Sequence, residues 1–84
     1  MIITSKTPRL NLHDEIVDIA KVLVEEFISD NYKLKNSVII IIHGKSTNIM
    51  TKAVHQILMQ NSKVKSYKLN NWNLGETIIE LNIE

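Results

Sequence analysis

Eighty-four residues with 44% hydrophobic side chains, two Gly and one Pro are enough for one core, so residues 1–84 are expected to form a single domain with no room for a second. The lack of Cys excludes disulfides, thiolate metal sites and a cysteine nucleophile and favours a reducing, cytoplasmic setting; Met1 to Lys6 has no signal-peptide stretch, and no run approaches the ~20 apolar residues of a membrane helix. The net charge of +1 divides into −3 over residues 1–32 and +4 over residues 33–84, which allows a locally basic face as readily as ordinary solvated lysines.

Leu10 and Leu12 alternate with Asn11 and His13, the period of a strand that turns its leucines to one side and its polar pair to the other. From Asp14 the spacing of Ile16, Ala20, Leu23 and Phe27 predicts an amphipathic helix over residues 14–31, with Asp14, Glu15 and Asp18 at its positive end. Val38 to Ile42 is a β-branched run apolar on both faces, as in a central buried strand. Ser46 or Thr47 can cap a second helix that buries Ile49, Met50, Ala53, Val54, Ile57 and Leu58 and ends near Asn61-Ser62. Val64 to Leu69 reads as a weaker strand, Asn70 to Gly75 as a turn-rich connection, and Thr77 to Ile83 as a last strand. The order β-α-β-α-β-β predicts an α/β two-layer sandwich: a mixed four-stranded sheet with both helices on one face. The other sheet face would be partly open, covered by Ile2-Ile3, by Trp72 or by a partner.

In a β-α-β unit with parallel strands, His13 and His43 would both lie at the carboxyl edge of the sheet, where open α/β sheets bind ligands. An imidazole can exchange protons near neutral pH and, when charged, bind phosphate. His13 can instead simply terminate its strand, and His43, beside Gly44, suits a structural bond as well as it suits chemistry. Gly44-Lys45-Ser46-Thr47 precedes a helix, so backbone donors, a hydroxyl and an ammonium can converge on one phosphate there, and Lys52 would extend the track. An ordinary capped turn and a solvated lysine explain the same residues. Trp72, the sole Trp, lies among Asn70, Asn71 and Asn73, where it can stack on an unpaired base or pack over the open sheet. His55 reads as surface decoration. His13, Asp14 and His43 lack metal-ligand spacing, so neither a metal site nor a cofactor is expected.

Leu10-Asn11-Leu12-His13 and His43-Gly44-Lys45-Ser46 resemble the two signature motifs of the small MutS-related (Smr) domain, roughly Leu-Asp-Leu-His-Gly and His-Gly-x-Gly. Gly75-Glu76-Thr77-Ile78-Ile79-Glu80-Leu81 is similar to the closing Gly-x-Thr-x-Val-x-Leu strand of that family, and the likeness extends over residues 8 to 82. It implies a fold like the carboxyl-terminal domain of bacterial translation initiation factor three, binding of RNA or DNA, and in several branches endonuclease activity. The resemblance casts His13 as principal acid/base, Asn11 as its orienter, and His43 as a second proton-transfer or phosphate-binding group. Gly44, Lys45, Ser46, Thr47 and Lys52 would then hold phosphates. This chain departs from the motifs at three places: Asn11 replaces Asp, Asp14 replaces Gly, and Ser46 replaces Gly. Asn offers a hydrogen bond but no charge, so it cannot serve as an anionic base. Two functions are therefore expected: an endonuclease cleaving RNA or branched DNA, or a non-catalytic module that holds nucleic acid at this edge or protein on the open sheet face.

Overall fold

Five successive β-branched residues, Val38 to Ile42, disfavour a helix and suit a strand buried on both sides, and they form the centre of the sheet. The computed structural model describes residues 2–44 and 48–83. Its elements run β1 (Arg9–Asn11), α1 (Val17–Lys33), β2 (Val38–Ile42), α2 (Asn48–Gln60), β3 (Val64–Asn70) and β4 (Asn73–Leu81). The sheet order is β1-β2-β4-β3, with β1 and β2 parallel and β4 antiparallel to both of its neighbours.

The register decides which side chains meet the helices. Ile39 and Ile41 pair with Ile79 and Thr77, and these share a core with Ala20, Val24 and Ile28 of α1 and Val54 and Leu58 of α2. Both helices thus cover one sheet face, as the apolar periods require. The opposite parity places Arg9, Asn11, Ile40, Ile42, Glu76, Ile78, Glu80 and Lys68 on the other face. Trp72 does not cover it, since that side chain is 96% exposed; Ile2 is exposed as well. Ile40 and Ile78 are nonetheless buried, and polar groups surround them. Arg9 donates through Nη1 to the carbonyls of Thr4 and Thr7, which fixes the turn that leads into β1.

Three boundaries differ from the periodicity. β1 stops at Asn11, and Glu15 N–H donates to Leu12 O at 3.0 Å, closing a turn before α1 begins at Val17. Asp14 and Glu15 therefore precede the helix, and Asp18 is the acid in its first turn. Asn70 to Gly75 is not an extended connection: β3 and β4 run almost to each other and leave only Asn71 and Trp72 in the turn. Neither takes a positive φ, so a primed two-residue turn is not formed, and a register shift at Leu69/Asn70 takes up the mismatch in twist. β4 ends at Leu81, short of the expected Ile83.

Candidate nucleic-acid interface

Parallel pairing of Asn11 with Ile42 brings the ends of β1 and β2 to one edge, and Leu12 N–H donates to Ile42 O at 2.8 Å just beyond them. β4 enters the sheet at that same edge. The N–H groups of His43 and Gly44 both donate to Gly75 O, at 2.9 and 3.0 Å, so the β2 exit and the β3–β4 hairpin are tied together. Gly44 has φ +87, and among the described residues nothing lies within 4 Å of where a Cβ would project, so the backbone conformation calls for glycine there.

His13 stands on this edge with its side chain 77% exposed. Asn11 does not reach its ring: Asn11 Oδ1 accepts the backbone N–H of His13 at 2.8 Å and so shapes the turn. The group near the ring is Asp14, whose Oδ1 lies 3.5 Å from His13 Nε2. Strand alternation aims Asp14 away from His13, but the strand has already ended, and a φ of +68 swings the carboxylate back. Asp is among the few side chains that tolerate that left-handed conformation, at the position where the motif has glycine.

His43 shares the edge but not the surface, being 7% exposed. Its Nδ1 lies 3.0 Å from Gly44 O and 2.9 Å from Thr51 Oγ1, and its Nε2 lies 2.8 Å from Thr77 Oγ1. A carbonyl only accepts, so the network assigns the proton of neutral His43 to Nδ1 and leaves Nε2 to accept from the Thr77 hydroxyl. Thr77 Oγ1 also lies 2.7 Å from His55 Nε2, which then donates to it. His55 is therefore no surface decoration. Burial first, and the repulsion it would meet from a protonated His43 second, hold it below the ordinary imidazole value, and its ring packs 5.0 Å from that of Tyr67. Thr77, Thr51 and His55 were missing from the sequence-based set, although a threonine two residues before Ile79 on a core-facing strand is a buried polar group that needs a partner.

Lys52 is exposed on α2. Lys45, Ser46 and Thr47 lie outside the described residues. Among the described residues no group of three or more His, Asp or Glu side chains gathers as metal ligands would, and no helix is long and apolar enough to cross a membrane.

A family model described as the Smr domain matches residues 10–81. The chain belongs to the Smr domain family. Curated relatives include the MutS2 endonucleases of Pelotomaculum thermopropionicum, 35% identical over 78 residues, and Lachnoclostridium phytofermentans, 34% identical over 79. Those matches cover 89% and 90% of this chain but 10% of each relative, so the chain spans about a tenth of the length of the MutS2 proteins it matches. Among solved structures, the Smr domain of Thermus thermophilus MutS2 superposes with a TM-score of 0.87 at 22% identity, covering 90% of this chain and 99% of that one. YdaL, a stand-alone small MutS-related protein from Escherichia coli, gives 0.85 at 25% identity over 92% of this chain and 68% of its own. The Smr fold is thus shared by domains within long MutS2 chains and by a stand-alone protein.

Proposed function

We propose that this Smr domain binds nucleic acid at the carboxyl edge of its sheet, with His13 as the exposed phosphate-contacting group. The observation that carries the reading is the placement of a 77% exposed imidazole, backed by a carboxylate at 3.5 Å, beside the β2 exit that leads to the second motif. Charged imidazole meets a phosphate oxygen as a hydrogen-bonded cation. His43 takes the anchoring role, because both of its ring nitrogens are already engaged by Gly44, Thr51 and Thr77. Gly44 and Lys52, with Lys45, Ser46 and Thr47, form the rest of the proposed contact region. Membership in a family that includes MutS2 endonucleases supports nucleic acid over a protein partner. The setting we infer is cytoplasmic.

A second reading, endonuclease action on RNA or branched DNA, is favoured by the approach of Asp14 to His13. Asp14 supplies the anionic partner that Asn11 lacks, so His13 can take the 2′-hydroxyl proton of an RNA or protonate a leaving oxygen. Labelled single-stranded RNA, duplex DNA and branched DNA, each with and without chelator, separate the two readings when run beside His13→Ala. Retarded bands that weaken in the mutant support the interface. New fragments that vanish in the mutant add catalysis, and no retardation with any substrate overturns both.

A further inference from the structure

We propose that Trp72 is a base-stacking residue, and that the β3–β4 hairpin tip gives the domain a preference for nucleic acid with unpaired bases; this rests on the carboxyl edge binding nucleic acid. The indole is 96% exposed and contributes almost no burial to the fold, while the tip is built to hold it outward. Asn70 Oδ1 accepts the Trp72 N–H at 3.0 Å, Asn73 Oδ1 accepts the Gly75 N–H at 3.0 Å, and Asn70 Nδ2 donates to Glu76 Oε1 at 3.1 Å. Side-chain amides thus brace both strands around the turn and leave the indole with little backbone freedom to lose on binding.

Its location joins it to the site. Gly75 O accepts the N–H groups of His43 and Gly44, and Trp72 is three residues from Gly75, within about 10 Å of chain. The hairpin tip and His13 therefore stand on the same edge, with β2 between β1 and the hairpin. Lys68, two residues before Asn70 on β3, is the lysine of that strand nearest the tip, whereas Lys65 lies at the far end of the strand against Glu80. A lone projecting aromatic with amide flanks and one lysine farther along the same strand matches single-strand recognition, where a π face stacks on any base. In a continuous duplex the base faces are occupied by their neighbours, so only an unpaired stretch, a fork or a flap offers the indole a partner.

Trp72 is the only tryptophan in the chain, so fluorescence excited beyond the absorption of Tyr32 and Tyr67 reports on it alone. Titrations with oligo(dT), oligo(U), a forked DNA and a blunt duplex, each paired with a gel shift, test the inference. The expected result is strong quenching by the two single strands and the fork, with little quenching by the duplex. Trp72→Ala should fold with an unchanged melting curve and bind the single strands about 5- to 150-fold more weakly, while Trp72→Phe retains most of the affinity. Gel shifts of equal strength for the wild type and Trp72→Ala would overturn stacking and leave the edge reading intact. Equal quenching and affinity for the blunt duplex would overturn the preference. No shift with any probe would remove the edge reading and the stacking role with it, and a fluorescence change that follows protein concentration alone would assign the indole to contact between copies of the chain.

Discussion

His43 and His55 converge on a single hydroxyl, their Nε2 atoms lying 2.8 and 2.7 Å from Thr77 Oγ1. One hydroxyl has one proton to give, so a neutral pair uses it in a single direction: His55 donates to Thr77, and Thr77 donates to His43. The rings stand 6.0 Å apart, close enough that charging both would be repulsive. The fold thus holds the motif histidine of β2 through a residue of α2 and a residue of β4.

The lowered pKa of His55 sets a pH dependence. The folded chain binds fewer protons than the unfolded chain, so this contribution is complete above about pH 6.5 and is lost as pH falls through the folded-state value. His43 and Tyr67 are the titratable groups facing it. The urea midpoint should therefore drop between about pH 7 and about pH 5. His55→Gln keeps a donor for Thr77 and removes the titration, so it should flatten that slope; an undiminished slope would place the dependence elsewhere.

Thr77→Val conserves shape but leaves two imidazole nitrogens without their shared partner. Urea unfolding should show a loss of about 1–3 kcal/mol, with Thr77→Ser recovering most of it. Equal stability of the valine variant would show that the hydroxyl bonds are energetically idle.

Asp14 gives a test of backbone strain, since its φ is +68. Asp14→Gly should leave the melting temperature unchanged or raise it, whereas Asp14→Val, branched at Cβ, should cost about 1–2 kcal/mol. Equal stability of the two variants would contradict a left-handed residue at this turn.

His13 and His43 should separate cleanly by calorimetry. His13→Ala removes an exposed ring and should change stability by less than about 0.5 kcal/mol. His43→Ala removes a buried ring with partners on both nitrogens and should cost about 2 kcal/mol or more. Similar losses in the two variants would contradict the division into an exposed contact and a buried anchor.

The sheet, the helices and their shared face were legible because Ile39, Ile41, Val24, Ile28, Val54 and Leu58 repeat at strand and helix periods. The common edge of His13 and His43 followed from the parallel crossover. The approach of Asp14 to His13 was not legible, because it depends on a positive φ beyond Asn11, where pairing stops and residue spacing says nothing of the dihedral. His55 was misread because its partner lies 22 residues away on a strand whose register local pattern does not fix. For Trp72 the sequence leaves stacking and packing both open, because local pattern does not show that strand pairing consumes all but two of residues 70–75.

β4 follows β3 in the chain, yet it occupies the gap between β2 and β3. A nascent polypeptide synthesised only as far as Asn70 has β2 bonded on one flank and β3 on neither. One flank of the isoleucine-rich β2 then stays open for the final hairpin to fill. The sheet of this topology consequently cannot close until Leu81 has been made, since the strand that joins its two halves is the last to emerge.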